Sequence, residues 1–118
     1  SKSYDPDITL EIYMDNEIKD IFVFDAKYKA NIISAQNNEE FRTVKYDDIS
    51  KMHTYRDAIT RAYGAYVLYP GDAEIIYHSD DNTNSSIFSG VGAFPLNPDS
   101  KENYERLKNV IEDILHNR

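Results

Sequence analysis

Three charged residues near the N-terminus are spaced so that they could act together on a phosphodiester. Asp7 follows Pro6, and after seventeen intervening residues come Asp25 and Lys27, which Ala26 separates. Mg²⁺ is bound in proteins by one or two carboxylates and keeps several waters, so Asp7 and Asp25 are candidate ligands. The Lys27 ammonium could hold or help to activate the attacking water and stabilise the charge of the reacting phosphate. In the alternative interpretation, Asp7 caps a strand, and Asp25 and Lys27 form a surface ion pair.

A β-hairpin is predicted to position these residues. The segment 8–14 alternates apolar with other residues, which indicates a half-buried strand. Polar residues 15–17 allow the chain to turn, and residues 21–24 are apolar on both faces, which favours a central strand of a sheet. The pattern therefore predicts a hairpin over about residues 8–28.

The hairpin determines which chemical groups can meet. Successive side chains of a strand point to opposite faces, so Asp25 and Lys27 share one face and Ala26 turns toward the core. Because the start of the first strand lies beside the end of the second, Asp7 is expected to approach Asp25. Glu11 has the parity of Asp7 but lies about 13 Å further along the strand, and it is only an auxiliary candidate.

The rest of the chain alternates between helical and strand-like segments. We expect a polar loop over 31–46, followed by a helix from Asp47 to about Tyr63 that Gly64 ends. Strands are then predicted at 65–69, 73–77 and 91–94, with an exposed loop over 78–86 before the last of them. Asp99 and Glu102 are expected to open a final helix. The predicted apolar stripes are Met52, Tyr55, Ile59 and Ala62 in the first helix, and Tyr104, Leu107, Ile111, Ile114 and Leu115 in the second. This alternation predicts an α/β domain with a mixed sheet flanked by helices.

The composition is that of one small globular domain. The chain has 118 residues, of which 41% are hydrophobic, and it contains no cysteine, which excludes disulfides and thiolate metal sites. No apolar stretch approaches the roughly 20 residues that a membrane span requires. The N-terminus has neither an initiator Met nor a signal peptide, so residues 1–118 are expected to be one domain, a C-terminal part of a longer cytoplasmic protein.

The distribution of charge decides whether DNA is an acceptable partner. The formal net charge of −8 counts against it, because phosphate contacts depend on Lys and Arg. However, residues 26–62 carry seven Lys and Arg against five acidic residues, whereas both flanking segments are acidic. This basic middle segment permits DNA contact, and its candidate backbone contacts are Lys29, Arg42, Lys45, Lys51, Arg56 and Arg61.

The motifs and their order resemble those of the PD-(D/E)XK nuclease superfamily. Pro6-Asp7 and Asp25-Ala26-Lys27 match the motif itself, and PDITLEI, IFVFDAKYK, DDISKMHTYRDAI, AYVLYPG and GVGAFPLNP follow one another as in a bacterial branch related to McrBC-type restriction systems. The resemblance implies a restriction-endonuclease-like core. It also implies a DNA endonuclease of a restriction or defence protein that uses Mg²⁺, with Mn²⁺ as a substitute.

The resemblance also implies roles for single residues. Asp7 and Asp25 correspond to metal ligands, the Ala26 carbonyl to a backbone ligand, and Lys27 to the catalytic lysine.

A second signature lies in the helix that follows the hairpin. RecB-like branches carry Gln-x-x-x-Tyr there, which corresponds to Lys51 and Tyr55, one helical turn apart. The resemblance makes Tyr55 a further catalytic candidate, while Lys51, which replaces the Gln, could reach a DNA phosphate as Lys29 and Arg56 could. Alternatively, Tyr55 belongs to the core and Lys51 is solvated. His53 is expected on the helix surface or at a phosphate, not as a metal ligand.

One departure from the family keeps a second function open. The superfamily core begins with a helix, often the source of an acidic ligand, and a strand, and neither has a counterpart before the strand of Asp7. The chain is therefore either an endonuclease domain, with target recognition elsewhere in its parent protein, or an inactive module of the same fold that binds DNA or protein. Double-strand cleavage would favour a homodimer, and RNA is a further candidate substrate.

Overall fold

The chain begins with the predicted hairpin. In the computed structural model, which describes residues 6–34, 39–58, 62–77 and 90–116, strand β1 (Ile8–Met14) pairs antiparallel with β2 (Glu17–Ala26). Asp15 and Asn16 connect them with φ angles of 52° and 66°. Two consecutive positive φ values are typical of the two-residue turn whose twist matches that of antiparallel strands. The turn pairs Met14 with Glu17, and a one-residue bulge in β2 next to Ile12 then shifts the register so that Ile8 pairs with Phe24. The turn and the bulge together set which residues meet at the open end of the hairpin.

The hairpin is one part of a five-stranded mixed sheet. The elements that follow are β3 (Asn31–Ser34), β4 (Glu40–Thr43), α1 (Tyr46–Ala58), β5 (Ala62–Tyr69), β6 (Ile75–Tyr77), β7 (Gly90–Pro95) and α2 (Lys101–His116). The strand order is β1-β2-β5-β7-β6, with β5 parallel to both β2 and β7, while β3 and β4 form a separate two-stranded ribbon. The predicted α/β class and the interior position of the second strand are confirmed.

Each face of the sheet is covered by one helix. Val23 of β2 and Met52 of α1 belong to the apolar cluster on one face. Phe22 and Phe24 point the other way and pack with Val110 of α2. The alternation of side chains along β2 therefore fills both cores and assigns Asp25 to the α1 face.

The predicted loop over 31–46 was wrong in part. It contains the β3–β4 ribbon and the first residue of α1. Each run of the ribbon has only four residues, of which two are β-branched or aromatic, and Ile32, Ile33 and Phe41 are all about half exposed or more. Such short runs carry no burial alternation, so the sequence did not reveal them.

The predicted end of the first helix was also wrong. In the described residues α1 extends to Ala58, and Gly64 lies within β5, opposite Phe22 and Gly90, not at a helix C-terminus. Ladder hydrogen bonds to two neighbouring strands outweigh the helical periodicity that the sequence suggested. The predicted stripe residues Met52 and Tyr55 are buried as expected, whereas Ala62 begins β5 and is not part of the helix. The stripe residue Ile59, the candidate DNA contact Arg61 and the predicted loop over 78–86 lie outside the described residues.

The last helix begins one residue later than predicted. Ser100, not Asp99, is its N-cap, because Ser100 Oγ accepts a hydrogen bond from the Asn103 N–H at 3.1 Å. Tyr104 and Leu115 of the predicted apolar face are more than half exposed, while Val110, which the stripe omitted, is fully buried.

Gly92 is expected to be irreplaceable in the sheet. A Cβ at this position would lie 2.3 Å from the backbone oxygen of Ile75 on the neighbouring strand. Because backbone of a paired strand cannot yield cheaply, Gly92→Ala should lower the free energy of unfolding by about 1–3 kcal/mol. Urea denaturation followed by circular dichroism measures this, with Lys108→Ala on the exposed face of α2 as the control. An unchanged unfolding midpoint would show that β6 can shift.

Candidate active site

The hairpin brings the two acidic residues to one place. Asp7 directly precedes β1, and the pairing of Ile8 with Phe24 continues to place Asp7 opposite Asp25. The Asp7 carboxylate accepts a hydrogen bond from the Ala26 N–H at 2.8 Å. Asp7 Oδ2 is therefore held against the backbone of the residue that follows Asp25, and joint action of the two carboxylates stays a prediction.

Lys27 and Asp25 form a close ion pair. Lys27 Nζ lies 2.8 Å from Asp25 Oδ2, and the Lys27 N–H donates to the Leu68 carbonyl at 2.8 Å, which extends the β2–β5 register beyond Ala26. The Asp25 side chain is 8% exposed and that of Lys27 is 26% exposed. This contact with Asp25, at hydrogen-bonding distance, raises the pKa of Lys27 against the opposing effect of burial. Lys27 is accordingly a cation at neutral pH.

A second ammonium approaches the same carboxylate from α1. Lys51 Nζ lies 3.9 Å from Asp25 Oδ2 and 5.4 Å from the centre of the Tyr55 ring. Tyr55 is only 3% exposed and packs in the core between α1 and the sheet. The Tyr55 ring therefore stabilises the Lys51 ammonium by a cation–π interaction. Sequence reasoning did not single out Asp48, one turn before Lys51, whose charge contributes to the raised pKa of Lys27.

The buried oxygen of Asp25 keeps capacity for a further partner. Asp25 Oδ2 is inaccessible to solvent and has no partner with hydrogen-bond geometry, although Lys27 lies at a suitable distance. The Lys27 and Lys51 ammonium groups balance the charge of this carboxylate, but neither makes a hydrogen bond of suitable geometry to Oδ2. Such an oxygen is suited to a cation, since burial of an unsatisfied carboxylate is costly.

The donor set fits a hard divalent cation. Mg²⁺ takes one or two carboxylates and completes its coordination shell with water. Asp7 and Asp25 could supply the carboxylates, and the Ala26 carbonyl could supply a further oxygen. The described residues contain no group of three or more Asp, Glu, His or Cys side chains able to hold a metal. Glu11, the auxiliary candidate, instead accepts a hydrogen bond from the Tyr13 hydroxyl at 3.1 Å, a contact that raises the pKa of Tyr13.

Two residues of the basic middle segment have structural contacts. The Arg42 guanidinium lies 2.8 Å from Asp72 Oδ1 and lowers the pKa of that carboxyl, which ties the β3–β4 ribbon to the loop after β5. Arg56 Nε donates to the Tyr63 carbonyl at 3.1 Å. A DNA contact by Arg56, Lys51 or Lys29 stays a prediction.

A shallow groove holds the other basic residues near the ribbon. Lys29, Arg42 and Lys45 line this basic groove, which has a volume of about 510 Å³. Because Asp72 already pairs with the Arg42 guanidinium, the Lys29 and Lys45 ammonium groups provide most of its positive character.

The sheet, the two helices and the paired motif residues define a class of protein. An α/β core that places Asp7 at the start of one strand and Asp25 and Lys27 at the end of the next has a restriction-endonuclease-like fold. A sequence profile of the PD-(D/E)XK nuclease superfamily matches residues 1–74, and the chain belongs to that superfamily. The matched segment contains both halves of the motif, α1 and β5. The narrower relation to McrBC-type systems is not confirmed.

Further comparisons add no closer relative. Neither the curated proteins nor the solved structures contain a significant match to this chain. Within the described residues, no helix has the length and apolar character needed to cross a membrane.

Proposed function

We propose that this chain is a Mg²⁺-dependent DNA endonuclease domain. The observation that carries the proposal is that the Asp7 carboxylate binds the backbone N–H of Ala26 while the residues on either side of Ala26, Asp25 and Lys27, form an ion pair. Membership of the nuclease superfamily supports the reaction class, and the buried Asp25 Oδ2, which has no hydrogen-bond partner, supports the presence of a cation.

The metal would be held by Asp7, Asp25 and the carbonyl of Ala26. When bound there, Mg²⁺ lowers the pKa of a bound water and neutralises charge that builds up on the phosphodiester. Mn²⁺ meets the same oxygen ligands and is expected to substitute for it.

Lys27 acts in this proposal as a fixed positive charge. The ammonium lies 2.8 Å from Asp25 Oδ2, so Lys27 is placed to orient the attacking water and to stabilise the charge of the phosphate. A group already placed where negative charge develops contributes without reorganising during the reaction.

Lys51 extends the positive region toward the substrate. Its side chain is 47% exposed, whereas the Asp25 side chain beneath it is 8% exposed. Lys51 therefore supplies a phosphate contact of the DNA backbone, and Tyr55 positions it. In this proposal the Lys51 ammonium takes the place of the Gln side-chain amide in the Gln-x-x-x-Tyr signature of RecB-like branches.

The wider setting follows the resemblance. We place the domain in a longer parent protein of a bacterial restriction or defence system, related to the McrBC type, with target recognition in another part of that protein. Cleavage of both strands would then require two copies of the domain.

Asp7→Asn tests the proposal directly. Asp7 is exposed, so the variant should fold, yet it removes one charged ligand and should lower Mg²⁺-dependent DNA cleavage by at least about 100-fold. Glu112→Gln, on the opposite side of the sheet, is the matched control. Wild-type cleavage should stop in EDTA, and isothermal calorimetry should detect Mg²⁺ binding that Asp7→Asn weakens.

Two results would contradict the endonuclease. Cleavage that persists in EDTA would exclude the metal, and Asp7→Asn as active as Glu112→Gln would exclude this site. Binding of DNA by a wild-type chain that cleaves nothing would favour the inactive module of the same fold.

A further inference from the structure

A second concave site lies on the other side of α1 from Asp25. It has a volume of about 440 Å³ and is bounded by the start of α1, the β3–β4 ribbon and the edge strand β6. We call it the aromatic pocket, because Tyr46, His53 and Tyr77 are among its walls. We propose that the aromatic pocket binds one unpaired base of the DNA strand on which the protein acts.

The rings of the pocket are available for stacking. Tyr46 is 79% exposed and Tyr77 is 52% exposed. The His53 ring lies 6.5 Å from that of Tyr77 with 43° between the two planes, so the rings flank a wedge and do not stack on one another. Aromatic side chains placed in this way are the usual platforms for unstacked bases of single strands.

The rest of the lining suits the edge of a base. Asn31, Thr43 and Ser50 offer an amide and two hydroxyls, which can both donate and accept hydrogen bonds. The apolar part is formed by Val44, Ile49 and Ile75. No Asp, Glu, Lys or Arg occurs among the described residues that line the pocket, so it is suited to an uncharged planar group and not to a phosphate.

The phosphate has a place beside the pocket. The basic groove, with Lys29 and Lys45, shares Asn31 with the aromatic pocket. An uncharged aromatic site that continues into a cationic groove matches the two halves of a nucleotide. This adjacency favours a base on a phosphodiester backbone over an isolated aromatic compound.

The helix α1 links the aromatic pocket to the candidate active site. Lys51 and Tyr55 lie on its side toward Asp25, whereas Ile49 and His53 lie on its side toward β6. The two sites are therefore separated by about one helix diameter, roughly 10 Å. A strand held by its base in the pocket would cross the N-terminal half of α1 toward the Asp25 carboxylate.

The substrate class follows from this geometry. A base in a duplex is stacked and paired and would have to leave the helix to enter the pocket. The inference, which rests on the proposed nuclease function for the identity of the strand, therefore assigns DNA with unpaired nucleotides as the preferred substrate.

Binding measured without metal separates this inference from catalysis. In EDTA at low salt, fluorescence anisotropy would compare a single strand of about 12 nucleotides, the same strand with abasic sites, its paired duplex and the matching RNA. The base-bearing DNA strand should bind most tightly. Tyr46→Ala and Tyr77→Ala should each weaken its binding by roughly five- to one-hundred-fold, and Tyr46→Phe should restore it.

Tyr104→Ala is the matched control, because Tyr104 is 60% exposed on α2 and lies away from the pocket. Equal affinity for the abasic strand, no binding of any strand, or pocket variants that bind like Tyr104→Ala would overturn the proposal. Tighter binding of RNA would overturn the assignment to DNA. If the base-dependent binding is found and Mg²⁺-dependent cleavage is not, the pocket stands and the nuclease function fails; the reverse result leaves the nuclease and rejects the pocket.

Discussion

Replacing Lys27 with Met is expected to slow DNA cleavage by roughly 10²- to 10³-fold without weakening Mg²⁺ binding. The rate should fall because a preorganised charge beside the reacting phosphate is removed, and loss of one such group typically has this effect. Metal affinity should be equal or higher, since the ammonium 2.8 Å from Asp25 Oδ2 competes for the same oxygen. Single-turnover cleavage and calorimetric titration of Mg²⁺ measure the two effects separately.

This variant is informative because the cleavage rate should fall while the affinity for Mg²⁺ does not. Lys108→Met removes the same charge from the exposed side of α2 and should leave both the rate and the metal affinity unchanged. If Lys27→Met loses rate and metal affinity together, Lys27 organises the site and does not act on the phosphate. A rate equal to that of Lys108→Met would remove Lys27 from the mechanism.

Replacing Phe24 with Ala is expected to lower the free energy of unfolding by about 3–5 kcal/mol. Phe24 is 1% exposed, belongs to the core beneath α2, and has its ring centre 5.6 Å from that of Tyr66. The sheet around it cannot collapse into the space left by the ring, because the strands on both sides of β2 are fixed by ladder hydrogen bonds. Urea denaturation followed by circular dichroism gives the value.

Phe41→Ala provides the matched control for that change. It deletes the same ring from the β3–β4 ribbon, where Phe41 is 47% exposed, so a loss below about 1 kcal/mol is expected. Equal losses in the two variants would mean that the ribbon is as important to the core as β2. Among molecules that remain folded, Phe24→Ala should still bind Mg²⁺, because Asp25 points to the other face of the sheet.

The hairpin and the candidate catalytic group were predictable from the sequence alone. The alternation of residues 8–14, the polar turn and the apolar run before Asp25 are local signals, and the structure places β1 and β2 where these signals predicted. Strand periodicity then fixes that Asp25 and Lys27 share a face, whatever the rest of the fold does. The same local patterns were sufficient for the α/β class.

The tertiary structure decided the features that depend on residues far apart in the chain. Parallel pairing with β2 and β7 makes residues 62–69 a strand. The sequence pattern had instead predicted that the preceding helix continues to about Tyr63. The ribbon exists because β3 and β4 pair with each other, since neither run of four residues specifies a strand alone. Packing of α1 on the sheet brings Lys51 to Asp25 and turns His53 toward Tyr77. Sequence spacing determines which groups can share a strand face, but distances between elements depend on how the cores on both sides of the sheet are filled.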